Sequence, residues 1–407
     1  MDRKGYDLSI VNNTELTSID ELLFPNLLDV EISDNPLLVL DCTHIMEYYS
    51  TVRRIRGNVN DCGCELDGAL TKTTVLAVKD NCELIYGDFI LSGKDTPSSD
   101  ILEQKFGKAT ILGGQLLVMG TDIVDLSFLG KVQIIEKYLT STEIYDEKYI
   151  RITGNEKLER LGLDMLTEVF GVTIHISGNS NLCFTPNEMS SFIDSYYIDS
   201  IEGRICEGGE STEIGLNRSC RIGNNSTLAA IPANCETLIG RLTIDHTTDL
   251  SQLWKLYNVT TIYGQLVIRN TSITCLAALW KLVFVVNLTA NETAMVIESN
   301  ERLRSPFLSS IFLVISDRPV RLQNNPVMML SDDECAILNK STKVDSRGNR
   351  QNCAGLTKSS SALLGVVGQV NILLVVSLMC LSDSVARFFM SSFFLLQTGY
   401  CAIRLIL

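Results

Sequence analysis

The chain has 407 residues, 45% of them hydrophobic, and a net charge of −14. That apolar share excludes global disorder, and the length predicts two or three domains. The acidic balance excludes a non-specific grip on nucleic acid or anionic lipid, which needs basic surface.

The N-terminus, MDRKGYDLSIVNNTEL, has no apolar run and so no signal peptide within these residues. Residues 1–60 read as the C-terminal part of a repeated domain. Asn13-Thr14-Glu15-Leu16 and Ile32–Leu38 (ISDNPLL) match Asn155–Leu158 and Ile176–Cys183 (ISGNSNLC) further on. A solenoid that starts midway exposes an apolar end, so a truncated start is expected.

Two fuller copies follow, at 82–190 and 235–340. GQLLVMGTDIVDLSFLGKV at 114–132 matches GQLVIRNTSITCLAALWKL at 264–282 at one constant offset. Upstream, NCELIYGDFI at Asn81–Ile90 matches NCETLIGRLTI at Asn234–Ile244. Within each copy, alternating β-branched runs predict strands. They fall at Asp88–Leu91, Leu116–Met119, Tyr149–Ile152 and Thr173–Ile176, then near Arg241–Ile244, Leu266–Ile268, Ala294–Ile297 and Val320–Leu322. One strand per coil in a parallel sheet, with Leu and Ile inward, is the expected architecture. Asn35, Asn155, Asn179, Asn300 and Asn325 recur where the chain leaves a strand. At that phase an Asn side chain bonds neighbouring backbone groups. Gly87, Gly114, Gly240 and Gly264 recur before strands, where the coil corner needs room for the backbone.

Residues 191–234 read as a cysteine-bearing linker and 341–361 as a second one. Ala362–Leu381 (ALLGVVGQVNILLVVSLMCL) carries no charge over 20 residues, the length of a transmembrane helix. An apolar tail, 382–407, follows. Lys340, Lys343, Arg347, Arg350 and Lys358 precede the span and Arg387 follows it. Charge bias alone would put the preceding side in the cytosol. The cysteines and glycosylation sequons place it outside.

Thirteen cysteines and three scattered histidines, His44, His175 and His246, make no metal pattern, and Cys62-x-Cys64 has no second pair at ligand spacing. Disulfides in an oxidising compartment are expected instead, with candidates Cys82, Cys183, Cys206, Cys220, Cys235, Cys275, Cys335 and Cys353 in open connectivity. Cys82 and Cys235 hold equivalent positions, and Cys183 and Cys335 close their copies. An odd count leaves at least one thiol without an intrachain partner. Candidate glycosylation sites are Asn12, Asn217, Asn224, Asn225, Asn258, Asn270, Asn287, Asn291 and Asn339. Asp245-His246 with Glu236 nearby reads as a solvated loop rather than a catalytic group. Gly113-Gly114-Gln115 lacks the ending of a phosphate loop, and no nucleophile elbow or kinase motif occurs in the 407 residues. No enzyme activity and no cofactor are expected.

The NC-x-x-x-x-G-x-(L/F)-x-(I/L) pattern at Asn81 and Asn234, the Gly-Gln-Leu strands at Gly114 and Gly264, and the Ile-x-x-Asn endings at Ile32 and Ile176 carry a resemblance. The chain resembles the receptor L domains of insulin-receptor-like and epidermal-growth-factor-receptor-like ectodomains, over about residues 1–335, and in its arrangement nematode L-domain membrane proteins. The resemblance implies a mainly β chain of tandem leucine-rich, right-handed β-helix (solenoid) L domains ahead of a C-terminal transmembrane helix. It also implies a plasma-membrane protein with its repeats extracellular and a peptide or protein ligand. The long cysteine-rich module of those receptors is missing between the copies. A decoy or co-receptor role, beside a signalling co-receptor, is therefore expected, with a structural or adhesion glycoprotein as the alternative.

Overall fold

A computed structural model describes residues 7–20, 30–42, 52–136, 149–193, 198–206 and 218–353, with Leu22, Ile45 and Ser195 besides. The predicted membrane span and apolar tail, 362–407, lie outside the described residues. Among those described, no helix is long and apolar enough to cross a membrane. The chain forms two compact units that divide near Glu210.

The first unit opens with a three-stranded parallel sheet, β1 (Leu8–Val11), β2 (Val30–Ser33) and β3 (Val52–Arg56). Val30, Ile32 and Ile55 point inward and share one core with Leu84, Tyr86 and Ile111 of the first complete domain. That domain carries two sheets. One runs through β4 (Cys64–Glu65), β5 (Leu84–Tyr86), β7 (Ile111–Gly113), β9 (Ile134–Glu136) and β11 (Glu168–Phe170). The other runs through β6 (Phe89–Ser92), β8 (Leu116–Met119), β10 (Tyr149–Thr153), β12 (Thr173–Ser177) and β14 (Ile198–Ile201). A small pair, β13 (Cys183–Phe184) and β15 (Arg204–Ile205), completes it. All these ladders are parallel, as in a stack of coils.

In the second unit, β16 (Ser219–Ser226), β17 (Thr237–Ile244), β18 (Thr261–Arg269), β19 (Phe284–Val286), β20 (Met295–Glu298), β21 (Leu313–Ile315), β22 (Val320–Gln323) and β23 (Val344–Asp345) form one branched parallel sheet. β17 and β18 run unbroken where the first domain splits the same sequence into two strands. Each coil thus contributes to two sheet faces, not one as the sequence predicts. The predicted strands all fall within or across strands of the structure. The unpredicted set is made of three-residue segments such as Leu84-Ile85-Tyr86 and Ile111-Leu112-Gly113, buried throughout. A run buried on both faces is too short to show alternation, which is the signal a half-solvated strand displays. Residues assigned to a linker are partly coil as well: β14 and β15 extend the first domain and β16 opens the second.

Recurrent Asn residues hold the coils together. Asn155, fully buried, accepts from Thr121 N (2.9 Å) and Thr121 Oγ1 (2.8 Å) through Oδ1, and its Nδ2 donates to Val118 O (2.9 Å) one coil away. Its own N donates to Asn179 Oδ1 (2.9 Å), and Asn179 Nδ2 reaches Ile152 O (2.8 Å). The second domain repeats this with Thr271, Asn300, Asn325 and Asn349, and the opening sheet with Asn13, Asn35 and Asn58. At the opposite side of the coil, glycines stack. A Cβ on Gly114 would collide with Gly87 O, and one on Gly264 with Gly240 O. Gly264 also holds φ +139, a conformation that a side chain disfavours.

Both complete domains close with the same device. Helix α1 (Pro186–Ile193) starts after Thr185, and α2 (Asp332–Ser341) after Ser331. Thr185 Oγ1 accepts from Glu188 N, and Glu188 Oε2 accepts from Thr185 N (2.7 Å). Ser331 and Glu334 do the same (2.9 Å for Ser331 N to Glu334 Oε2). These are capping boxes. The other oxygen of each buried glutamate accepts from the preceding coil, from Leu163 N (3.2 Å) and Leu308 N (3.1 Å). Thr185-x-x-Glu188 and Ser331-x-x-Glu334 are the sequence signal of this device.

Replacing Asn155 with Ala strands Val118 O and Thr121 N in the interior at about 1–3 kcal/mol each. Asn155→Ala is therefore expected to lose on the order of 3 kcal/mol, read as a lowered denaturation midpoint in the oxidised full chain. An unchanged midpoint would remove the ladder from the account of stability.

Candidate functional site

Disulfides bracket each complete domain. Cys64–Cys82 and Cys183–Cys206 stand at the ends of the first, and Cys220–Cys235 and Cys335–Cys353 at the ends of the second. Cys206 and Cys220, adjacent in the predicted linker, thus serve different domains. Asn81 and Asn234, which precede the equivalent Cys82 and Cys235, both adopt positive φ (59° and 61°), a conformation Asn tolerates. Cys275 is also disulfide-bonded. The bond Cys42–Cys62 in the opening sheet was missed, because sequence gives no connectivity. Among the described residues no cluster of His, Cys, Asp or Glu is arranged to hold a metal ion. The Asp245 carboxylate accepts from Thr247 N (2.9 Å) and Thr247 Oγ1 (2.6 Å). These bonds hold its carboxyl below the usual range and commit it to the turn instead of to His246.

Rigid caps and ladders leave the outward sheet faces as the surfaces on which sequence is free to vary. In the first complete domain, register aligns Ile90, Leu117, Arg151, His175 and Ser200 in one row across β6, β8, β10, β12 and β14. Met119 and Thr153 lie in the next row, and Tyr149 pairs with Thr173 in the row before. Ile90, Leu117, Met119 and Tyr149 are half-buried. The Arg151 guanidinium lies over the Tyr149 ring, 4.2 Å from its centroid. His175 Nδ1 meets Asp199 Oδ2 at 2.8 Å, and its Nε2 meets Ser177 Oγ at 3.1 Å, which fixes the ring at one edge of the row. The face is thus apolar on its β6 and β8 side, carries the Tyr149–Arg151 stack on the central strand β10 and is polar towards β14, with the aromatic, Met and Arg groups that protein-recognition patches favour. The second domain differs: Arg241, Gln265, Arg321 and Asp345 face outward and line an open pocket of about 510 Å³. Sequence alternation marks Arg151, His175, Arg241 and Arg321 as outward-facing, whereas the unbroken apolar run Leu116–Met119 hides the outward turn of Leu117 and Met119. Alternation cannot align any of them across strands, because register is a tertiary property.

The sequons divide by exposure. Asn12, Asn270, Asn291 and Asn339 are exposed and Asn258 is half-exposed, where it accepts from Lys281 Nζ (3.1 Å). Asn224 and Asn225 lie on β16, and Asn217 lies outside the described residues. Asn287 overturns its candidacy. It is 5% exposed, with Nδ2 turned towards Glu292 Oε2 and Thr293 O, so no glycan fits on it in this fold. Glycopeptide mass spectrometry of the chain made in a secretory host is expected to find Asn287 bare and Asn339 occupied. The reverse pattern would contradict the packing around Asn287.

Comparison with known proteins agrees with this geometry. The family model of the receptor L domain matches residues 81–193 and 234–341. Protein irld-34 of Caenorhabditis elegans is 24% identical over 297 residues, covering 68% of this chain and 70% of that one. Two matched copies, each carrying the same caps and the same Asn and Gly ladders, make the chain a member of the receptor L-domain family.

Proposed function

We propose that this chain is the ligand-binding ectodomain of a cell-surface glycoprotein, taking a protein or peptide ligand on the outward face of its first complete domain. The observation that carries this reading is the half-buried row of Ile90 and Leu117 beside Met119 and the Tyr149–Arg151 stack. An isolated sheet face gains from solvated polar residues. Aliphatic, aromatic and Arg groups together are what protein hot spots use. Membership of the receptor L-domain family supports a receptor-like role, and the disulfides among the described residues support a secreted or surface location. In this reading Ala362–Leu381 anchors the protein in the plasma membrane, and the protein acts as a decoy or co-receptor while a separate co-receptor supplies signalling.

The test is a binding screen of the full chain, displayed on cells with an added leader, against secreted and surface proteins. A Leu117→Arg variant is run in parallel. A hot-spot loss of about 2 kcal/mol, roughly thirtyfold in affinity, is expected for the true ligand. Binders that retain the variant equally, or self-association as the only interaction found, would overturn the reading. The second outcome would favour the adhesion alternative.

A further inference from the structure

The two complete domains share a corner at which they make opposite choices. In the first, Asp88 follows Gly87 and Gln115 follows Gly114. Gln115 is fully used: its N and Nε2 donate to Asp88 Oδ1 (3.0 Å) and Oδ2 (2.8 Å), and its Oε1 accepts from Tyr149 N (3.2 Å). In the second, the matching residues are Arg241 and Gln265, paired across β17 and β18. Arg cannot accept the amide protons. Gln265 Nε2 turns instead to Thr293 O (2.6 Å), which fixes the orientation of the amide. Its Oε1 is then left with no partner, on a residue only 8% exposed, and Arg241 Nε is buried without a partner too.

Both groups line the open pocket of about 510 Å³. An orphaned acceptor and an orphaned donor side by side are costly unless something else satisfies them. Nearby charges do not. Asp345 is taken by Arg347, through bonds of 2.8 and 2.7 Å that hold its carboxyl below the usual range. Arg318 is taken by Asn291 Oδ1 (2.6 Å). Arg321 is exposed and makes no ion pair with a described residue. It stands three strands from Arg241 in the sheet order and two residues further along, roughly 16 Å at the usual strand spacing and rise. Three arginines against two carboxylates leave the lining with one net positive charge. A continuous polyanion would meet Glu292 and Asp345. A short segment with discrete carboxylates and its own N–H donors would not.

We propose that this pocket binds a carboxylate-bearing peptide segment, with a carboxylate on Arg241, a peptide N–H on Gln265 Oε1, and, in a segment with two acidic groups, the second reaching Arg321. The site differs in residues and chemistry from the face of the first domain, and its test reads separately. The carboxylate comes from an acidic side chain or from a chain end. Fluorescein-labelled probes are titrated into the full chain and followed by anisotropy: Gly-Glu-Gly-Glu-Gly-amide, its Gln counterpart, pentaglycine with a free carboxylate, and a sulfated heparin hexasaccharide.

Saturable binding of at least one carboxylate peptide, at least tenfold tighter than the Gln peptide, is expected. Preference for the Glu peptide assigns the source to side chains, and preference for pentaglycine assigns it to a chain end. Arg241→Asp, which rebuilds the Asp–Gln pair of the first domain, should weaken that binding at least tenfold. Arg321→Ala, at an exposed position, should weaken the Glu peptide severalfold and keeps the test open if Arg241→Asp does not fold. Carboxylate and amide peptides binding alike, both variants binding as the parent does, or binding of the hexasaccharide alone would each overturn the proposal.

Discussion

Buried asparagine amides set the pitch of this molecule. A stack of coils has no helix to satisfy the backbone where each strand ends, and water does not reach the interior. Asn155 and Asn300, each fully buried, solve this by both accepting from and donating to the preceding coil, through Thr121 N and Val118 O or Thr271 N and Ile268 O, while their own N and Nδ2 donate to the Asn of the next coil. Every further rung repeats the bond, so neighbouring coils keep one spacing and one register. The apolar rows then follow: Ile150, Ile152, Ile174 and Ile176 fall inside because the rungs above them leave no other phase. The glycine corners are the counterpart, since coils held this close bring Gly87 O and Gly240 O to where a Cβ would sit.

A ladder propagates until something stops it, and both complete domains stop it in the same way. A buried glutamate, Glu188 or Glu334, joins the final helix to the preceding coil, and a disulfide follows. Duplication preserved these internal fittings because each is coupled to several neighbours at once. The outward positions have no such coupling. Where one domain sets Asp88 against Gln115, the other sets Arg241 against Gln265, and where one has Met119 the other has Arg269. A shared scaffold with divergent faces is what two different contact chemistries require.

Much of the scaffold was legible in the sequence, since repetition converts a weak local signal into a phase. A single Asn or Gly says little, but Asn155, Asn179, Asn300 and Asn325 at one phase identify the strand exits, and the eight alternating strands follow. Short buried strands such as Leu84–Tyr86 were not legible, because three apolar residues have no period. The faces were half legible: alternation marks Arg151 and Arg241 as outward, but only register sets Leu117 beside Arg151 and Arg241 beside Gln265. Nor does a sequon show its own burial, which the strand end at Asn287 decides.

The pocket also has to work against its own protein. The chain carries a net charge of −14, so its long-range field repels an acidic segment. At physiological ionic strength that field is screened beyond about 8 Å. Within that distance a ligand meets Arg241 and Arg321 rather than the average surface, on a sheet wall where charge-assisted bonds are less diluted by water. Attraction therefore begins only at contact. Such a site has little electrostatic steering and draws its selectivity from the geometry of the orphaned Gln265 acceptor. That geometry exists because the corner that sets Asp88 against Gln115 in one copy sets Arg241 against Gln265 in the other.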